Sequence, residues 1–201
     1  MIKINGGLPA PSLLGYQEFG TGQKRQIVIE VQPGLKIPGI LVLPKGKVGG
    51  LWIVVSDGGK IDAQKLILPK DDTAMLYLDT LGIGELSGVE MRYSVYLGAS
   101  IPFLDGYQIT RAAEAMKRYT SNITVLGRGP IASQAVMYAG LLKSDFTLVM
   151  GQNCMRSWLD VFKDGVSDSA VQPRAPLSGS LEHLRSLVPH GQWDFQEYPI
   201  H

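Results

Sequence analysis

The stretch from Thr124 to Ala132, Thr-Val-Leu-Gly-Arg-Gly-Pro-Ile-Ala, constrains this chain more than any other. Asn122 to Leu126 reads as a short buried strand and Ile131 to Leu142 as a helix. Gly127, Gly129 and Pro130 lie between them. A strand that enters a helix through a tight glycine turn is where α/β proteins place either a catalytic nucleophile or a phosphate.

An esterase elbow is G-x-S-x-G, with serine at the tip. The same register here is Gly127-Arg128-Gly129-Pro130-Ile131, so the tip is Gly129, which has no side chain. The next residue of an elbow gives its N–H to an oxyanion, and Pro130 has none to give. The phosphate reading rests on Gly127-x-Gly129-x-x-Ala132, close to a dinucleotide fingerprint. That site also needs an acid after the next strand, where Gly151, Gln152 and Asn153 stand instead. A third reading is purely structural: the glycines make a turn and Pro130 starts a helix.

At 201 residues the chain is long enough for one domain with a sizeable core. Its 19 basic and 18 acidic residues nearly balance, which gives no footprint for nucleic acid or a membrane surface. Met1 to Ala10 has no apolar stretch of the kind a signal peptide carries. The sequence leaves the location open: extracellular or periplasmic if the chain was cut from a secreted parent, otherwise cytoplasmic. The lone Cys154 rules out an internal disulfide and has no base beside it in sequence, so it reads as an inert thiol. His183, His190 and His201 show no ligand spacing, and no metal or cofactor is expected.

Along the chain, residues 1–24 read as a loose lead-in, 25–165 as the core and 166–201 as an irregular tail. Gln26 to Gln32 alternates like a strand, and Gly39 to Leu43 is a second, closed by Pro44. Leu51 to Ser56 is a continuous apolar run, as in a central strand covered on both faces. Gly58 and Gly59 follow it, where flexible glycines turn backbone N–H groups toward a pocket. Ala74 to Leu78 is another buried strand. It ends at Asp79, which is either a catalytic carboxylate or the residue that ties the loop through Gly84. Ser100 and Pro102 open a helix with Ile109, Ala112, Ala113 and Met116 on its apolar face. In the helix after the elbow, Ala132, Ala135 and Ala139 allow a close approach, and Ser133 lies inside the helix, not at the tip. Phe146 to Met150 is the sixth strand, Met155 to Phe162 an amphipathic helix, and Ser180 caps a short helix.

These residues, in this order, resemble the α/β-hydrolase fold, and within it the acetyl-xylan-esterase-like branch of carbohydrate-active proteins. Ile37 to Lys45 looks like that branch's second strand, and Leu51 to Gly59 its central strand and oxyanion turn. Asp79 to Gly84 is similar to its D-x-x-G-x-G loop. Leu97-Gly98 with Tyr107 to Tyr119 resembles its next helix, and Val125 to Leu142 its elbow. Val188-Pro189 with Trp193-Asp194-Phe195 resembles a motif between later strands.

The resemblance implies a three-layer α/β sandwich with six strands in the order 1-2-4-3-5-6, a mainly parallel centre and helices on both faces. It also implies a catalytic acid and histidine on two final strands, for which no counterpart is evident before His201; Asp79, His190 and Asp194 are the candidates that remain. The expected function is a degenerate, non-catalytic domain with a structural or ligand-binding role. The alternatives are an ester hydrolase with a displaced nucleophile and a nucleotide-binding domain through Gly127-x-Gly129. Its expected partners are the rest of a longer parent chain or a second copy, with a small ester or carbohydrate as ligand. If nothing followed Phe146 to Met150, that strand would be a bare apolar edge. The favoured cover is the segment after Met155, through Trp158, Phe162 and Trp193.

Overall fold

A computed structural model describes residues 15–66, 71–87, 100–157 and 180–195. Among these residues eight strands form one sheet: β1 Tyr16–Phe19, β2 Lys24–Gln32, β3 Leu35–Val42, β4 Gly50–Ser56, β5 Thr73–Leu78, β6 Ile123–Arg128, β7 Leu148–Gln152 and β8 Gly191–Trp193. Their order is β1-β2-β3-β5-β4-β6-β7-β8. The six expected strands are β2 to β7, in the expected order. The strands from β5 to β8 are parallel, and the three pairings on the β1 side are antiparallel.

The helices are α1 Gly59–Leu66, α2 Ile101–Met116, α3 Pro130–Leu142 and α4 Leu181–Ser186. Alternation along β4 sorts its side chains between two cores, as a centrally buried strand requires. Leu51, Ile53 and Val55 pack with α2 and α3 through Ile109, Ala112 and Ala135. Val54 packs on the opposite face with Ala63 of α1, Met75 and Tyr77.

Two helix starts follow the capping rule. The Ser100 hydroxyl accepts from Phe103 N at 3.2 Å, with Pro102 in the first turn. The Ser180 hydroxyl accepts from His183 N at 3.1 Å. The alanines of α3 meet glycines on both sides. A Cβ on Gly106 of α2 would stand 2.8 Å from Ala135 O, and one on Gly127 of β6 would stand 2.2 Å from Ala132 O. These two glycines let α3 lie against α2 and β6 at backbone distance.

Three features depart from the sequence reading. The loose lead-in contains β1, which pairs with β2 from Tyr16↔Ile29 to Phe19↔Gln26. A polar knot holds β1 to the end of α2: Tyr16 Oη donates to Glu18 at 2.6 Å, Tyr119 Oη donates to the same oxygen, and Arg25 pairs with the other at 2.5 Å. Burial pushes the Glu18 carboxyl up, but the bonds from Tyr119, Tyr16 and Arg25 outweigh it and hold it down at about 2. Second, α1 fills the loop after β4, where the residues show little apolar periodicity.

Third, a strand does follow the sixth. β8 lies parallel to β7, with Val149↔Gly191 and Gly151↔Trp193. The irregular tail therefore contains α4 and β8, and β7 is an interior strand. Trp193 packs against the main core; Trp158 and Phe162 lie outside the described residues. A chain ending at Gly165 loses this cover and bares the β7 edge. Light scattering should then find it associated, where the full chain keeps a smaller mass.

Candidate functional site

Parallel strands collect their functional side chains at their carboxyl ends. Here that edge carries Asp79 after β5, Asp57 after β4, Gly129 after β6, Asn153 and Cys154 after β7, and Asp194 after β8.

Gly129 sits between β6 and α3 with φ 104°, ψ 167°, a conformation that disfavours any side chain. Its own N–H extends the sheet ladder to Gln152 O at 2.9 Å. Pro130 begins α3, and the next two amides point at Asp57. Asp57 Oδ2 accepts from Ile131 N at 3.1 Å and Oδ1 from Ala132 N at 2.7 Å. The next amide, Ser133 N, already bonds Gly129 O at 2.9 Å. The start of α3 is thus fully provided for by its own chain: one position has no N–H, two bond an internal carboxylate, and the fourth is in the helix. Asp57 is itself fixed, its N–H reaching Arg128 O at 3.0 Å across the β4–β6 pair.

The carboxylate lies where a side chain at the tip would stand. A Cβ on Gly129 would be 2.5 Å from Asp57 Cγ. Burial drives the Asp57 carboxyl up to about 6, against the amides of Ala132 and Ile131, which favour the charged form. Asp57 is therefore largely ionised at neutral pH, at the positive end of the α3 dipole. Sequence reasoning placed a glycine turn here and missed Asp57. Its partners lie more than seventy residues on, and no local pattern marks them.

Gly58 and Gly59 form the turn into α1. Gly59 has φ 81° and is packed against Gly84 and the Asp79 carboxylate, while Gly58 N bonds Ser56 Oγ at 3.4 Å. Asp79 ties the loop. Its carboxylate accepts from Lys60 N at 2.6 Å, Lys60 Nζ at 2.5 Å and Glu85 N at 3.1 Å. Glu85 takes a second bond from Lys60 Nζ at 2.5 Å. Burial would lower the Lys60 ammonium, but Asp79 and Glu85 outweigh it and raise it. All three bonds to the Asp79 carboxylate come from α1 or from the segment after β5, so the side chain is a clamp between the two.

The other two candidates are separated by β8 itself. His190 precedes the strand, and its carbonyl accepts from Val149 N at 3.2 Å at the amino end. Asp194 follows the strand at the carboxyl end, exposed, its N–H bonded to Gly151 O at 2.8 Å. The structure brings neither to Gly129 as a pair. Ser133 Oγ is buried and donates to Pro130 O at 3.3 Å. Cys154 is buried, and that burial raises its thiol. Among the described residues no group of three His, Cys, Asp or Glu side chains is placed to hold a metal, and no helix is long and apolar enough to cross a membrane.

Among the described residues a cavity of about 750 Å³ opens beside β8, between Trp193, Phe195, Arg156 and Glu182. Its wall is stiffened by Arg185, whose guanidinium lies 4.7 Å from the Phe195 ring centre and donates to Met155 O.

No protein-family model matches this sequence, and neither does any curated protein. Solved structures do match in three dimensions. An acetyl xylan esterase from Paenibacillus sp. R4 superposes with TM-score 0.55 at 18% identity, over 80% of this chain and 60% of that one. A cold-adapted esterase from an Arctic intertidal metagenomic library gives 0.55 at 11%, over 92% and 89%. A Bacteroides fragilis NCTC 9343 protein assigned to the acetyl xylan esterases gives 0.55 at 15%, over 74% and 50%. The chain thus spans half to three-fifths of the acetyl-xylan-esterase relatives. The strand order, the turn from β6 into α3 and these superpositions together establish that the chain has the α/β-hydrolase fold.

Proposed function

We propose that this chain is a non-catalytic α/β-hydrolase-fold domain, with a structural or ligand-binding role in place of ester turnover. The observation that carries this reading is the Asp57 carboxylate on the amides of Ile131 and Ala132. An acyl-transfer site needs backbone donors open to a developing oxyanion beside a nucleophile. At this turn the tip is Gly129, the following residue is Pro130, and an internal anion occupies the next two donors. The same carboxylate argues against a nucleotide here, because phosphate would meet a negative charge where it needs bare N–H groups.

The resemblance to carbohydrate esterases suggests a small ester or carbohydrate as ligand. The cavity beside β8 has the size of a small-molecule site and an aromatic wall with polar groups at its rim. A longer parent chain or a second copy remains the proposed partner, in keeping with the fraction of the acetyl-xylan-esterase relatives that the chain spans.

The test is labelling with a serine-directed fluorophosphonate probe, beside hydrolysis of an activated acetyl ester. The expected result is no labelling and turnover at the buffer rate. Stoichiometric labelling of any serine would overturn the reading.

A further inference from the structure

Asp105 is fully buried in α2, and among the described residues neither carboxyl oxygen has a hydrogen-bond partner. The Thr80 hydroxyl and Leu81 amide lie beside it. Neither bonds it with good geometry: Leu81 N donates to Gln108 Oε1 at 3.1 Å, and Thr80 Oγ1 is itself buried without a partner. A carboxylate is not stable in such surroundings, because an isolated buried charge takes up a proton instead. The Asp57 carboxylate, the other buried acid of the region, repels a charge here.

We propose that Asp105 is a proton-operated latch, which fastens the loop after β5 to α2 while neutral and releases it when ionised. The neutral carboxyl has an O–H to give, and the Thr80 hydroxyl beside it is an acceptor in want of a donor. That bond would stand next to Leu81 N–Gln108 and close the α2 side of the loop. Within the loop, Ile83 N bonds Thr80 O at 2.9 Å and Gly82 N bonds Leu86 O at 3.0 Å, so a shift of Thr80 is felt across it. Loss of the proton removes the donor and sets a second negative charge beside Asp57.

Among the described residues the charges around Asp105 give it no counter-ion. From the β4 turn comes Asp57. From the end of β5 comes Asp79, and the cation there, Lys60, is already bonded to Asp79 and Glu85. α3 carries no charged residue, and Tyr138 is its one titratable group. Arg111 lies six residues further along α2. On the β1 and β2 side, Glu18 and Arg25 are engaged with each other beyond the far end of α2.

The sign of the linkage follows from the upward shift of Asp105: burial is its main cause and Asp57 adds to it, while the nearby Thr80 hydroxyl and Leu81 amide oppose it without outweighing it. The folded state holds the proton above the pH at which the unfolded state has lost it. Stability is then greatest in acid and falls as pH rises toward the shifted value.

Three measurements on the full chain test this. Infrared spectra at neutral pH should show the C=O stretch of a protonated carboxyl, absent from Asp105→Asn. Melting temperature should fall by several degrees from about pH 5 to about pH 8 in the wild type. Asp105→Asn should remove the part of that fall above about pH 6, where Asp57 is already mostly ionised, and melt higher than the wild type at the alkaline end. Amide exchange at Gly82 and Ile83, corrected for intrinsic base catalysis, should rise over the same range only when Asp105 is present. A missing protonated carboxyl, or an Asp105→Asn chain destabilised equally at both pH values, would overturn the latch. Thr80→Val keeps the test open should Asp105→Asn fail to fold: the latch requires it to loosen the loop in acid and leave the alkaline state unchanged.

Discussion

Gly129→Ser is expected to unfold the chain at a markedly lower urea concentration and to gain no esterase activity. The residue would need a side chain at φ 104°, a strain of about 1–3 kcal/mol. Its Cβ would also lie 2.5 Å from Asp57 Cγ, so the carboxylate must leave the amides of Ile131 and Ala132. Bonds to a charged acceptor contribute about 1.5–3 kcal/mol each. The strain and the two lost bonds together come to roughly 4–9 kcal/mol, comparable with the whole stability of a domain this size. Pairing the change with Pro130→Gly restores an N–H but not the space, so that double mutant is expected to remain inactive. Urea midpoints and hydrolysis of an activated acetyl ester measure both parts. Turnover well above the buffer rate in either mutant would show that a base stands at the turn after all.

The second large effect is expected at Asp79. Removing it by Asp79→Ala leaves the Lys60 ammonium, 7% exposed, with only the exposed end of Glu85. It also strands the N–H groups of Lys60 and Glu85. Breaking one side of a buried pair costs about 3–5 kcal/mol, chiefly from the charge left behind. Lys60→Met with Asp79→Ala should recover part of that loss, because no buried ion then remains. If the single and double mutants unfold alike, the Lys60 charge was never costly, and the loop is held by the backbone bonds alone.

The expected strand order was legible because each interior strand is a self-contained apolar run bounded by glycine, proline or polar residues. Leu51 to Ser56 and Ala74 to Leu78 need no partner to be recognised. β1 and β8 were not legible, for different reasons. Tyr16–Phe19 alternates weakly inside a glycine-rich stretch, and only its pairing with β2 and the Glu18 knot make it a strand. Gly191–Trp193 has three residues, one of them glycine, so nothing but the β7 ladder defines it. The turn at Gly129 could be read from local residues. Its Asp57 plug could not, because the bond joins two strand ends far apart in sequence. Asp105 was hidden for a similar reason: the apolar face of α2 was evident from its spacing, but which polar residue turns inward is decided by the loop packed against it.

The place of β4 in the sheet also has a consequence for how the chain is made. Its partner on one side, β5, is nearby in sequence, with Leu51 opposite Ala74. Its partner on the other side begins at Ile123, opposite the same Leu51 and roughly seventy residues later. At translation speeds of about 5–20 residues per second, the ribosome spends on the order of several seconds between the two. Throughout that interval Leu-Trp-Ile-Val-Val is a finished apolar strand with one open side. Binding by a chaperone should therefore concentrate on nascent chains that have passed β5 and not yet released β6, and should drop once α3 has left the exit tunnel.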